Sequence, residues 1–231
     1  MHQTRTHSPL NDFGLSAPRI TRFTRPMTDD PDKQALWKPR TVEETQQIYA
    51  DWANGYDGDM ADWGYVTPAR VAMALRQSGA NVEKPVLDFG CGTGLAGLAL
   101  KSVGFDVVDG TDISPEMLDE AQARGVYRQV WRGTPGSLGH IKRADYPIIA
   151  ACGVVSLGAA PPETLDMLVN ALGSGGLLAF SFNEPTLADR SYTDRLDVAC
   201  LAPDIELVFE QHGPHLPAKN MSSTVYVLKR T

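Results

Sequence analysis

Cysteine is scarce in this 231-residue chain, where only Cys91, Cys152 and Cys200 occur, an odd number at wide spacing. That excludes a disulfide framework and the paired spacing of a zinc site, and it points to a reducing, cytoplasmic setting. No apolar run approaches the roughly 18 residues of a membrane span, so no membrane association is expected. Positive charge is in deficit, with 21 Lys and Arg against 28 Asp and Glu and a net charge of −7. A chain of that balance has no broad positive field for a phosphate backbone, and a nucleic-acid partner is disfavoured. Residues 1–26 lack any helical or strand period and are expected to be disordered. Their four arginines without a lysine would also suit a transit peptide, against which Asp12 and weak amphipathicity count.

What remains, 27–231, has an ordinary composition, 42% hydrophobic and 21% charged over the whole chain, and is expected to fold as one domain. Thr41 with Glu44 three residues on forms a capping box for a helix running toward Trp63, on which Tyr49, Trp52 and Tyr56 share a face. Gly55 and Gly58 are expected to fray or end that helix. A second helix over 68–77 turns Val71, Ala72 and Leu75 inward, and the two together (about 41–80) are expected to form a helical lid. From Val86 on, strands (86–89, 105–112, 127–131, 147–155, 176–182) alternate with helices that begin near Leu95, Pro115 and Pro162. Such alternation implies parallel strands with helices on both faces. The tail departs from it. IELVFEQH from Ile205 and TVYVLKR from Thr224, separated by a Gly/Pro loop, are expected to pair as an antiparallel hairpin. The fold class expected is a Rossmann-like three-layer α/β sandwich with a mostly parallel seven-stranded sheet and an antiparallel C-terminal hairpin.

The chemistry is concentrated in VLDFGCGTGLAG, Val86 to Gly97. Counted from Gly92 it reads G-x-G-x-x-G, a dinucleotide fingerprint. Counted from Asp88 it reads D-x-G-x-G-x-G. A carboxylate at Asp88 would oppose a pyrophosphate but attract an ammonium or sulfonium, and the loop starts at Gly90, directly after the strand. Asp112, ending the next strand, can accept hydrogen bonds from two ribose hydroxyls under either reading.

VLDFGCGTG, the acid of GTDISPEML, and GSGGLLAFS resemble the successive motifs of class I S-adenosylmethionine-dependent methyltransferases. YADWANGYD, PPETLD and FSFNEP are similar, more narrowly, to small methyltransferase-like proteins that include the Williams-Beuren-region member. The resemblance implies S-adenosylmethionine as cofactor. It assigns Asp88, Gly90 and Gly92 to the methionine end of the donor, Cys91 to the cofactor site without a finer role, Asp112 to the ribose, Ile113 and Met117 to the adenine, Tyr56 to the lid, and Cys152 to a position beside the reacting methyl group. It also exposes a departure: WRGTPG, Trp131 to Gly136, lacks the acid that many members carry after the third strand, which leaves backbone groups or Thr134 for the adenine.

The function expected is methyl transfer to a small-molecule acceptor, with an NAD(P)-dependent oxidoreductase and a donor-binding module without catalysis as the competing readings. Asp57, His140, Glu184, His212 and His215 are candidate bases. None is assigned a catalytic role. The H-x-x-H pair of His212 and His215 has no third ligand in its vicinity of sequence, and no metal is assigned.

Overall fold

The computed structural model describes residue 38 and residues 40–231, so the extension over 1–26 lies outside the described residues. Helix α1, Val42–Trp63, begins as its capping box dictates: Glu44 N–H donates to Thr41 Oγ1 (3.2 Å), and Thr41 N–H donates to Glu44 Oε2 (2.8 Å). It does not end at Gly55 or Gly58. It runs on to Gly64, which closes it in the left-handed conformation at φ 70°. An internal glycine costs a helix roughly 1 kcal/mol relative to alanine. Met60 and Trp63, buried in a cluster with Leu216, offset that cost. Helix α2, Thr67–Gln77, buries Val71, Ala72, Ala74 and Leu75.

The alternating region follows as β1 (Val86–Phe89), α3 (Leu95–Ser102), β2 (Val108–Asp112), α4 (Pro115–Ala123), β3 (Gln129–Arg132), β4 (Ile148–Ala151), α5 (Glu163–Ala171) and β5 (Leu177–Asn183). Strands β2 and β4 are shorter than the spans expected, because pairing begins after Asp106 and stops before the turn at Gly153 (φ 73°). Two further helices were not anticipated: α6 (Glu184–Ala188) and α7 (Arg190–Leu201), capped by Asn183 and Asp189. The tail strands are also longer than expected. β6 (Ile205–Leu216) and β7 (Met221–Arg230) join through a 3₁₀ turn at Pro217–Lys219, so Gly213 and Pro214 lie inside β6 rather than in a loop. A proline is tolerated there because β6 is an edge strand and a register shift follows between Pro214 and Leu216.

The sheet order is β3-β2-β1-β4-β5-β7-β6, with β7 antiparallel to both neighbours and every other pairing parallel. Successive residues of each central strand feed opposite cores. Leu87, Ile149 and Leu178 join Leu165, Leu168 and Leu196 on one face, whereas Val86, Ile148 and Leu177 join Leu75, Leu100 and Phe105 on the other. The result is the three-layer α/β sandwich. Helix α2 belongs to the second of these layers, so α1 alone extends over the strand ends. Strand order reverses between β1 and β4, and a crevice opens at the carboxyl ends of strands at such a switch point.

Candidate active site

The crevice is a cavity of about 400 Å³. Its walls bring together Tyr56 from α1, Gly90 and Gly92 from the loop after β1, Asp112, Ile113 and Met117 from the β2–α4 connection, and Cys152 from the end of β4. Seven of the nine residues expected at the site therefore share one space. Gly90 and Gly92 have φ of 70° and 53°, which L side chains rarely adopt. A Cβ on Gly90 would come within 2.4 Å of Val154 Cγ2, so the loop seats directly on the β4 connection; a Cβ on Gly92 would meet nothing within 4 Å. The space above Gly92 is thus open to a ligand.

Asp112 is held by two backbone donors. Gly92 N–H donates to Oδ2 (2.9 Å) and Ser114 N–H to Oδ1 (3.0 Å). A carboxylate has about four acceptor positions, so both oxygens keep capacity toward the cavity. Burial raises its pKa, opposed by those backbone bonds. Thr111, beside it in the wall, buries its Oγ1 without a protein partner.

Asp88 and Cys91 sit elsewhere. They are 0% and 5% exposed and lie beneath the glycine loop, outside the cavity lining. The third residue of β1 points away from the cavity into the α3 side of the sheet, where Tyr127 Oη donates to Asp88 Oδ2 (2.7 Å). Burial pushes the Asp88 carboxyl up to about 7, against the opposing effect of the Tyr127 bond. Direct charge contact between Asp88 and a donor ammonium is therefore replaced by a buttress under the loop. Cys91, in the loop after β1, packs with Leu118 and Ala121.

Several partners escaped sequence reading. Thr93 Oγ1 donates to Asp57 Oδ1 (2.6 Å), and Arg124 pairs with the same carboxylate, so the glycine loop and α4 both grip α1. Asp57 is thereby committed and unavailable as a base. Glu184 is an exposed first residue of α6, and His140 is exposed beside Trp131. Cys152, its thiol raised to about 12 by burial, contacts Tyr65 Oη at 3.4 Å. His215 is 7% exposed, not a solvated loop residue, and its Nδ1 lies 2.8 Å from Thr67 Oγ1.

Beyond the main cavity, a chamber of about 60 Å³ shares Tyr49, Tyr56, Tyr65 and Gly153 with it and extends between Trp52, Trp63, Asn183 and His215. Among the described residues no helix is long and apolar enough to cross a membrane, and no cluster of three or more His, Cys, Asp or Glu could hold a metal.

Residues 87–178 match the methyltransferase domain family. Human methyltransferase-like protein 27 is 39% identical over 85 residues, 36% of this chain and 35% of that protein. The ribosomal protein L11 methyltransferase of Aliivibrio salmonicida is 31% identical over 156 residues, 62% of this chain and 50% of that one. The chain therefore matches between about a third and a half of these relatives' own length. A Thermotoga maritima structure, described as an S-adenosylmethionine-dependent methyltransferase and possible histamine N-methyltransferase, superposes with a TM-score of 0.57 at 16% identity, covering 81% of this chain and 100% of that one. Residues 87–178 thus match a methyltransferase domain, and the fold is one shared with a structure described as an S-adenosylmethionine-dependent methyltransferase. The cavity has room and polarity that fit S-adenosylmethionine, with a carboxylate at Asp112 in its wall and open space over Gly92.

Proposed function

We propose that the protein transfers a methyl group from S-adenosylmethionine to a small-molecule acceptor in the cytoplasm. The observation that carries this reading is Asp112, fixed by Gly92 and Ser114 at the end of β2 with acceptor capacity turned into the cavity. Gly90 and Gly92 would take the methionine portion, Asp112 the ribose, and Ile113 and Met117 the adenine face. Thr134, which lines the cavity, would stand near the adenine edge in place of the missing acid.

The donor supplies a methyl group on positively charged sulfur, so the chain's task is alignment and exclusion of water. Tyr49 and Tyr56 of α1 and Tyr65 just beyond it contribute by roofing the junction between cavity and chamber. Their phenols are raised by burial and stay neutral at physiological pH. Cys152 stays a thiol and contributes bulk and polarity, not a nucleophile.

The small-molecule reading rests on the chamber's size and on the aromatic cover, since a polymer needs an open groove. The L11 methyltransferase relative carries a protein acceptor in its name, so a macromolecule is the competing outcome. Incubating the protein and methyl-labelled donor with a cell extract, then separating label by molecular size, tests this. Label in the small-molecule fraction is expected; label confined to protein or RNA would overturn the acceptor class and leave the donor reading standing.

A further inference from the structure

The chamber behind the main cavity is more specific than its size suggests, because the hydrogen-bonding polarity of its wall can be traced from one fixed donor. Arg70 can only donate. Its Nη1 gives a hydrogen bond to Ser223 Oγ (2.9 Å). Ser223 is fully buried, and its own hydroxyl hydrogen has one side-chain partner, Thr67 Oγ1 at 3.2 Å. A buried hydroxyl donor is rarely left unmade, because doing so forfeits the full desolvation cost. Ser223 therefore donates to Thr67, which turns the Thr67 hydrogen toward His215 Nδ1 at 2.8 Å. His215 Nδ1 accepts, and the ring proton sits on Nε2.

Nε2 has no partner among the described residues and is not sealed from open space, while His215 lines the chamber. Burial, with a smaller effect of the nearby Arg70, lowers His215 to about 4, so the ring is a neutral donor at physiological pH. Asn183 presents a second donor. Its Oδ1 is taken by Thr186 N–H (3.1 Å) and Thr186 Oγ1 (2.7 Å), which leaves its Nδ2 hydrogens unpaired where the residue lines the same chamber. Ser156 Oγ donates to Gly153 O and Ser181 Oγ accepts from Gly153 N–H, while Tyr49, Tyr56 and Tyr65 stand where the chamber meets the main cavity. Trp52, Tyr56 and Trp63 supply ring faces, with Trp52 4.8 Å from Tyr56 and 5.8 Å from Trp63 between centroids. No side chain of the chamber wall carries a formal charge.

We propose that this chamber is the acceptor subsite, and that it takes the carbonyl or carboxylate oxygen of a flat acceptor through His215 Nε2–H and Asn183 Nδ2–H. An ammonium group placed between His215 and Asn183 would face two N–H donors. His215 is on this account a specificity residue, not a base, because its lone pair is already turned to Thr67. The proposal rests on the donor reading above, since it places the acceptor next to the donor cavity through the shared Tyr56 and Gly153.

The test uses three small probes, benzamide, benzoate and benzylamine, titrated by ligand-observed NMR into the full chain with and without S-adenosylhomocysteine. Asn183→Asp keeps the helix-capping oxygen and replaces the amide donor by an acceptor; His215→Phe removes the ring donor, and His215→Gln restores an N–H. Benzamide or benzoate is expected to bind in preference to benzylamine. Asn183→Asp and His215→Phe should each weaken that binding about five- to tenfold, His215→Gln should recover part of it, and affinity for S-adenosylhomocysteine should be unchanged. Benzylamine binding as tightly as either oxygen probe, no oxygen probe binding, or no effect of Asn183→Asp would each overturn the proposal. Failure of S-adenosylhomocysteine to bind would instead overturn the donor reading, with the titrations on the free protein still deciding the chamber.

Discussion

Asp57, in the middle of the long N-terminal helix, accepts a 2.6 Å hydrogen bond from Thr93, in the middle of the glycine loop. Residues 36 positions apart are thereby tied across the cavity roof, and Arg124 fastens the same carboxylate to α4. The roof and the glycine loop act as one unit.

Breaking that tie should loosen the roof while leaving the core intact. Asp57 is partly exposed, with 43% of its side chain accessible, so the contribution is modest, about 1 kcal/mol. Asp57→Ala is expected to raise amide hydrogen exchange across Val42–Trp63 about fivefold, with exchange in β4 and β5 unchanged. Uniform exchange across the whole chain would mean that Asp57 holds the fold and not the roof.

The two loop glycines should behave differently. Gly90→Ala drives its Cβ into Val154 and is expected to cost about 3 kcal/mol or more. Gly92→Ala meets no protein atom and pays only the left-handed backbone, about 1 kcal/mol or a few degrees in Tm. If the open space above Gly92 is where the donor lies, Gly92→Ala should nonetheless abolish donor binding. Thermal melts and donor titration of both variants check this, and retained affinity in Gly92→Ala would remove Gly92 from the site.

Asp88 should make stability depend on pH. Its folded pKa, about 7, lies above the ordinary carboxylate value. Between those values the folded chain keeps a proton that the unfolded chain has released, so stability is full at low pH and is lost as pH rises through about 7. Asp88→Asn is neutral throughout and can still accept from Tyr127. Its Tm should therefore exceed wild type by more at about pH 8 than at about pH 5. A gap independent of pH would show that Asp88 is not protonated in the folded state.

The parts of this architecture that were legible in the sequence are those set by local backbone chemistry. Thr41 with Glu44, Ser114 with Pro115, and the run from Gly90 to Gly94 each specify a backbone conformation within a few residues, and each stands where expected. Asp112 was legible because a strand end is a geometric position. What failed depended on distant partners. Gly55 and Gly58 do not end α1 because Met60 and Trp63 bury against Leu216, far along the chain. Asp88 faces Tyr127 rather than the cavity because strand alternation, not motif order, sets its direction. His215 resembled a loop residue until the register of β6 on β7 put it against Thr67. Asp109, three residues before Asp112 in the same strand, is fully buried and bonded to Arg128 and Tyr146, a partnership that spans separate elements and was not legible from the strand alone.

Donor binding through Asp112 is the claim on which the rest depends, and calorimetric titration of wild type, Asp112→Ala and the exposed control Asp106→Ala with S-adenosylmethionine and NAD tests it most directly. Hydrogen bonds to a charged group contribute roughly 1.5 to 3 kcal/mol each, without full additivity. Wild type and Asp106→Ala should bind S-adenosylmethionine equally and NAD not at all, and Asp112→Ala should bind the donor about ten- to a hundredfold more weakly. NAD binding more tightly than S-adenosylmethionine, or an Asp112→Ala affinity equal to wild type, would contradict the account.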